Sequence, residues 1–302
     1  MDEALEKPIL ITGGSGQVAQ ALYALAGKRQ VAARLVGRPE FSFDKPETVE
    51  ACLVRVRPWL VVNAAAYTDV DAAEGDAAAA DRANHLGPAA LANLCAQTGV
   101  KLVHISTDYV FDGRKGAPYV EEDATAPTGV YGATKLAGER GVLAAGGQCL
   151  VLRTSWVYSA TGRNFVRTML ATARKTGRLR VVADQTGCPT AAADLAECIL
   201  NIAGRIGHDQ WRDEHGGVFH AAGNGFTTWH GLAQAVFEEA ARHGGPVPIV
   251  EPIATADWPT RAARPPDSRL DCSRLAQEFG QRLPPWRDSV SREVAVILTE
   301  QG

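Results

Sequence analysis

Tyr131 and Lys135 stand four residues apart in Tyr131-Gly-Ala-Thr-Lys135, a spacing at which a phenol and an ammonium can work as one acid. On a helix, positions i and i+4 share a face about one turn apart. An ammonium beside a phenol favours the phenolate, so Lys135 is expected to draw Tyr131 down from the usual pKa of about 10. None of the other five tyrosines has a lysine four residues on. Solvated helix faces also produce such pairs by chance, so the pair takes its meaning from its surroundings.

Three other stretches supply those surroundings. Ile9-Leu-Ile-Thr-Gly-Gly-Ser-Gly-Gln-Val-Ala19 opens with a short apolar run that reads as a buried parallel strand, followed by an amphipathic helix from about Gln17 to Ala26. Gly13 and Gly16 are spaced for a tight turn that carries backbone N–H groups, with Ser15, Gln17 and Val18, up to a pyrophosphate at a helix N-terminus. Ala19 holds the third small position of that fingerprint. An ordinary strand-to-helix turn is the competing reading. Leu102-Val-His-Ile-Ser-Thr-Asp108 is an apolar strand that ends in hydroxyls. Ligands of open α/β sheets bind beyond the carboxyl ends of the strands, so Ser106 and Thr107 fall where a substrate carbonyl would sit. Ser106 serves equally well as a cap of the strand end. Val61-Val-Asn-Ala-Ala-Ala-Tyr67 runs from a strand into small residues, and Ala64, Ala65, Ala66 and Tyr67 would let a flat ring or a ribose approach the backbone. Asn63 either meets that ligand or ties neighbouring strand ends together.

In this order the four stretches resemble the extended short-chain dehydrogenase/reductase family. Longer matches resemble its dTDP-4-dehydrorhamnose reductase branch: Asn63 to Asp71, Ser106-Thr-Asp-Tyr-Val-Phe-Asp-Gly113, Tyr131 to Glu139, Leu152-Arg-Thr-Ser-Trp-Val-Tyr158, Asp184 to Thr190 and Arg264-Pro-Pro-Asp-Ser-Arg-Leu270. The resemblance runs from about Ile9 to Trp286. It implies hydride transfer to the C4 ketone of a dTDP-linked 4-keto-6-deoxyhexose. Tyr131 would donate the proton, Thr107 would hydrogen-bond the carbonyl oxygen, and Lys135 would hold the nicotinamide ribose and keep Tyr131 acidic. Trp156 resembles the family's sugar-packing residue, with core packing as its competing role. Asp108, Tyr109 and Asn164 are further substrate candidates. Arg264 and Arg269 would fork onto the diphosphate, or else form local salt bridges. The same chemistry on another nucleotide-linked 4-keto sugar, in a reductase or an epimerase, is the nearest alternative. A non-catalytic nucleotide-binding regulatory subunit of the same fold is a more distant one.

Cofactor choice turns on Arg38, which follows the second strand in Leu35-Val-Gly-Arg38. An acidic residue at that strand end would bind a ribose 2′-hydroxyl, whereas an arginine suits a 2′-phosphate. NADPH is therefore expected, with NADH possible, and a solvated surface arginine is the alternative. Relatives often carry Asp-Leu where this chain has Ser42-Phe43; Phe43 can still stack on adenine, but Ser42 offers no carboxylate. Some relatives also carry carboxylates for a Mg²⁺-linked dimer where this chain has Ala21 and Ala193, so no metal is expected, and the protein is expected to be a monomer or a homodimer.

The bulk composition fits this reading. The chain has 302 residues, 46% hydrophobic and 22% charged, ordinary for a soluble enzyme with a large core. A formal net charge of −3 without a dense basic run argues against a nucleic-acid partner. No apolar stretch reaches the length of a membrane span, and the acidic N-terminus is unlike a signal peptide. Six scattered cysteines with no Cys-x-x-Cys pair suit a reducing cytoplasm.

Strand-like runs near Ile9, Arg34, Leu60, Lys101 and Leu150 alternate with helical stretches. The expected fold is α/β, a Rossmann-like doubly wound parallel sheet followed by a smaller mixed α/β substrate domain. Residues 1–153 form the dinucleotide-binding part, which also receives part of 190–220. Residues 154–302 mainly form the substrate part, a coarse division because the resemblance implies separated C-terminal segments. Ala72 to Gln97 reads as helical with a kink or break at Gly87-Pro88. Helices are also expected over Asn164 to Lys175 and Asp194 to Ala203, a strand over Arg180 to Ala183, and an N-cap at Thr228.

Overall fold

The computed structural model describes residues 7–208 and 211–299. The acidic N-terminal residues noted above, the start of the 1–153 division and the end of the 154–302 division lie outside these.

Strands β1 (Ile9–Thr12), β2 (Ala33–Val36), β3 (Leu60–Asn63), β4 (Lys101–Thr107) and β5 (Cys149–Thr154) form where the apolar runs predict them. After β5 come the short strands β6 (Val157–Tyr158), β7 (Arg178–Val182), β8 (Thr186–Gly187) and β9 (Thr190–Ala191), then β10 (Gly217–His220), β11 (Thr227–Thr228) and β12 (Ile249–Ile253). Six strands make one sheet in the order β10-β5-β4-β3-β1-β2, and every pairing in it is parallel. The chain reverses its direction of travel across the sheet at β1, with β2 on one side and β3 on the other. That switch point opens a crevice at the carboxyl ends of the strands.

Helices α1 (Gln17–Lys28), α2 (Pro46–Val56), α3 (Val70–Ala73), α4 (Ala77–Asp81), α5 (Gly87–Thr98) and α6 (Val130–Ala144) belong to the first half. Helices α7 (Phe165–Ala173), α8 (Ala192–His208), α9 (Trp229–Arg242), α10 (Ser273–Phe279) and α11 (Trp286–Thr299) follow. Period-two alternation divides the sheet residues between two cores. Ile9 and Ile11 face a cluster with Leu22 of α1 and Leu195, Ile199 and Ile202 of α8. Leu10 and Val61 face Val49 and Leu53 of α2 and Leu91 of α5 on the other side. Each such side chain, fully buried, contributes roughly 1.5–3 kcal/mol. A third cluster lies off the sheet, where α7, α9 and α11 bury Val166, Leu232, Val236, Phe237, Val290 and Val294.

The alanine-rich segment breaks once, at residues 74–76 between α3 and α4. From there α4, a π-helical turn over Arg82–Leu86 and α5 run on without a gap, and the irregular turn ends at Gly87-Pro88, where the kink or break is expected. Asp76 caps α4 by accepting from Ala79 N, and Pro88 at the start of α5 has no N–H to continue a regular ladder. Gly87 is required there because a Cβ would lie 2.2 Å from the Phe43 ring. Thr228 caps α9 as expected, accepting from Gly231 N. Helix α8 is longer than its sequence pattern suggested, because tertiary packing on α1 extends the apolar face.

Helix α6, which carries Tyr131 and Lys135, lies unusually close to its neighbours. A Cβ at Gly138 would stand 1.9 Å from the Asn84 carbonyl oxygen, and one at Gly132 would stand 2.1 Å from the Tyr109 carbonyl oxygen. Helix propensity alone would make Gly138→Ala stabilising by about 1 kcal/mol. Steric conflict with the backbone should win, and the variant is expected to lose about 3 kcal/mol in urea unfolding. A stabilised variant would show that the helix can move away without cost.

Candidate active site

The first wall of the site is the glycine turn after β1. Gly13 has φ +104°, and a Cβ there would lie 2.8 Å from the Ala64 carbonyl oxygen. The turn therefore nests against the small residues after β3, and it leaves the N-terminus of α1 open to an anion. Asn63 does the tying work: Thr12 Oγ1 donates to its Oδ1 at 2.6 Å, and its Nδ2 lies 2.9 Å from His104 Nδ1. Burial and the Lys135 charge push the His104 imidazole well below its ordinary pKa.

The second wall is the end of β4 with α6. Thr107 Oγ1 donates to Asp108 Oδ1 at 3.0 Å and accepts from Tyr109 N at 3.2 Å. Ser106 points the other way, donating to Glu139 Oε1 at 2.5 Å. Lys135 is buried, and its Nζ donates to the Ile105 carbonyl oxygen at 2.6 Å. Burial draws Lys135 down to about 8, against the pull of Glu139 one turn further along α6. Tyr131 packs edge-on to Tyr109, with ring centroids 5.7 Å apart. Its pKa moves opposite to the expectation from spacing: burial pushes it up to about 12, with a hydrogen bond to Thr107 pulling the other way. Desolvation leads the shift, and the Lys135 ammonium is turned towards the Ile105 carbonyl.

The third wall belongs to the C-terminal half. Trp156 adopts φ +46°, uncommon for a bulky residue. It stacks on Trp229 at 3.5 Å between centroids and 7° between planes, while its other side presses on Gly187, where a Cβ would come within 2.4 Å. Asn164 caps α7 and donates from Nδ2 to Gln17 Oε1 at 2.9 Å, joining this wall to the glycine turn.

These walls enclose one cleft of about 570 Å³. Among the expected site residues it is lined by Ser15, Gly16, Gln17, Val18, Ala64, Ala66, Thr107, Asp108, Tyr109, Tyr131, Lys135, Trp156 and Asn164. Gly13 and Ala65 sit just behind it, in the contact between the glycine turn and the loop after β3. Tyr67 is held at its backbone by Asn84, which accepts from Tyr67 N at 2.8 Å and donates to Tyr67 O at 3.1 Å. Arg38 is exposed at the end of β2 and makes no hydrogen bond or ion pair among the described residues. It adjoins the glycine turn, since a Cβ on Gly37 would lie 2.8 Å from Gly14 Cα.

Other expected residues are not brought into the cleft. Phe43 packs on Phe41 and lines a groove between α2 and α5, and Ser42 is buried in a local turn beside Thr48. Arg264 donates to Asp71 Oδ2 at 2.7 Å. Arg269 forks onto Asp267 at 2.8 and 2.6 Å and lines a separate pocket with Phe226 and Cys272. Local ion pairing, the competing role for both arginines, is the one they adopt in this structure. The sequence reading missed Asp69, Thr154, Arg163 and Trp229, all in the cleft wall. Asp69 and Thr154 lie inside stretches already singled out, Asn63 to Asp71 and Leu152 to Tyr158, and Trp229 is the aromatic residue right after the Thr228 cap; Arg163 had no such signal.

Comparison with known proteins follows the same outline. The RmlD substrate binding domain family matches residues 7–298. A Sinorhizobium fredii protein named dTDP-4-dehydrorhamnose reductase is 43% identical over 292 residues, covering 97% of this chain and 98% of the relative. The chain belongs to the dTDP-4-dehydrorhamnose reductase family. A Clostridium acetobutylicum member of known structure superposes with a TM-score of 0.88 at 32% identity, covering 96% of this chain and 99% of that one. A Bacillus anthracis member solved in complex with NADP has a TM-score of 0.88 at 30% identity, covering 96% of this chain and 99% of that one.

Asp108 gives the site a testable electrostatic property. It is buried among Thr107, Ser155 and Ser268, and burial pushes its carboxyl up to about 6. The folded value lies above the unfolded one, so the folded state binds more protons between about pH 4 and 6, and stability from this group is lost as pH rises through that window. Asp108→Asn removes the titration. Its unfolding free energy should gain on that of the wild type by about 3 kcal/mol between pH 4 and 7. A constant difference across the window would place the carboxylate in contact with water.

Proposed function

We propose that the protein reduces the C4 ketone of dTDP-4-dehydro-β-L-rhamnose to dTDP-L-rhamnose with NADPH, the last step of dTDP-rhamnose biosynthesis. The observation that carries this reading is the convergence of Thr107, Tyr131 and Lys135 in one cleft, facing a glycine turn built for a pyrophosphate. The cradle fits a dinucleotide, because Gly13 and Ala64 approach so closely that no side chain intrudes at the helix N-terminus. The NADP carried by the Bacillus anthracis relative supports the same cofactor.

When bound, NADPH supplies the hydride. The chain's own residues manage the proton and the charge. A phenol raised to about 12 stays protonated at neutral pH, so Tyr131 is a loaded donor that releases its proton only to a strong base, the alkoxide forming at C4. Thr107, which lines the cleft beside Tyr131, would steady the same oxygen. Lys135 lines the cleft and would hold the cofactor ribose. Trp156 and Trp229 form a flat apolar wall for a deoxysugar ring, with Asp108, Tyr109 and Asn164 as polar contacts around it. Residues 1–153, joined by α8 on α1 and β10 in the sheet, hold the cofactor, and 154–302 mainly hold the sugar nucleotide. Free, scattered cysteines support a cytoplasmic protein, and a monomer or a homodimer is proposed.

Purified protein offered dTDP-, UDP- and GDP-linked 4-keto sugars with NADPH should reduce the dTDP sugar fastest. Preference for another nucleotide would replace the substrate while keeping the chemistry. Tyr131→Phe is expected to lose roughly 10²–10⁴ in turnover while binding NADPH normally. Retention of more than about a tenth of wild-type turnover would assign the proton to another group. Arg38→Ala should weaken NADPH by about 2–3 kcal/mol and NADH far less, because only NADPH carries a 2′-phosphate. Equal losses in parallel titrations would make Arg38 an adenine-stacking residue.

A further inference from the structure

A sugar nucleotide and a dinucleotide both bring a diphosphate into a cleft whose wall already contains the carboxylates of Asp69 and Asp108. The backbone N–H groups of the glycine turn can meet one diphosphate, and a cationic side chain would add to them or meet the other. Among the described residues lining the cleft, the cationic side chains are Lys135 and Arg163. Lys135 is buried and bonded to the Ile105 carbonyl oxygen. Arg264 is committed to Asp71, Arg269 to Asp267, and Arg153 to Glu139.

Arg163 is in a different state. Its side chain is 90% exposed, and among the described residues its one ion pair is a long contact of 3.7 Å to Asp69, itself half exposed. The two residues sit on opposite walls, Asp69 at the start of α3 and Arg163 just before α7. The loop beneath Arg163 is firmly held. Ala160 N donates to Glu293 Oε2 at 2.7 Å, Arg167 donates to the Ala160 carbonyl oxygen, and Asn164 Nδ2 donates to the Ser159 carbonyl oxygen at 2.8 Å and to Gln17. A cation with a fixed base and a free head is thus presented beside the glycine turn.

We infer that Arg163 is the diphosphate-binding cation of this cleft, and that Asp69 is a placeholder which the diphosphate displaces. This rests on the proposed function only for the nature of the ligands. An exposed ion pair of this length is weak, so it yields readily to a charge-assisted, two-pronged guanidinium–phosphate contact. The sugar nucleotide and the cofactor are the two sources of that chemistry, and they are separable by titration.

The test uses dTDP and NADPH as separate probes against the full chain in calorimetry. Arg163→Gln should weaken one of them by about ten- to a hundredfold and flatten its salt dependence. Loss confined to dTDP assigns Arg163 to the substrate diphosphate, and loss confined to NADPH assigns it to the cofactor pyrophosphate. Asp69→Asn keeps the cap on α3, since asparagine caps as well as aspartate, and should tighten the same probe several-fold. Unchanged binding of both probes in Arg163→Gln, or weaker binding of both in Asp69→Asn, overturns the inference, as does a wild type that binds neither. The proposed reaction fails separately. A wild type that binds dTDP through Arg163 yet leaves dTDP-4-dehydrorhamnose unreduced would remove the reaction and keep the diphosphate site.

Discussion

A buried ion pair holds the reactive helix to the sheet. Arg153, on β5, donates to Glu139 from Nε at 2.9 and 3.2 Å and from Nη2 at 2.7 Å, and Ser106 at the end of β4 completes the carboxylate's shell. Both charges are almost fully buried. Removing either partner leaves the other uncompensated, at a cost of about 3–5 kcal/mol. Glu139 lies one turn beyond Lys135 and two turns beyond Tyr131. The pair therefore sets the rotation of α6 and, through it, the direction in which the phenol faces. It also places a negative charge where it opposes the desolvation of Lys135.

Close approach is the complement of that pair. Gly132 and Gly138 let α6 lie directly on the carbonyls of Tyr109 and Asn84, while Asn84 reaches both the Tyr67 backbone and Thr134 Oγ1 of α6. The loop after β3, the π turn and the reactive helix are thus joined by one buried side chain. Site geometry here is a property of backbone contacts and one ionic anchor more than of the loops that carry the ligand-facing groups.

The parts legible in the sequence were those with a local cause. Parallel strands appeared as apolar runs, the glycine turn as a spacing, and the Thr228 cap as a hydroxyl before a periodic stretch. Thr107, Tyr131 and Lys135 were legible because strand end and helix face dictate where they point. What escaped depends on distant partners. Arg264 and Arg269 stood between a diphosphate and local salt bridges, and only the fold decides, bringing Asp71 to the one and shaping the Asp267 turn of the other. Phe43 was a plausible stacking ring until Gly87 provided a notch for it. The phenol's upward shift was invisible too, since spacing reports the neighbouring charge but says nothing about desolvation.

The π turn at Arg82–Leu86 carries one more consequence. Such a turn amounts to a single extra residue wound into an α-helix. Its excision would let α4 and α5 run on as a regular helix, and everything on one side of the cut would rotate by about 100° relative to the other. Asn84 would swing away from Tyr67 and Thr134, and Gly87 away from Phe43. The chain is thus far more vulnerable there to a change of length than to a change of letter, and evolutionary drift through insertions and deletions should find this segment closed while the exposed loops stay open to it.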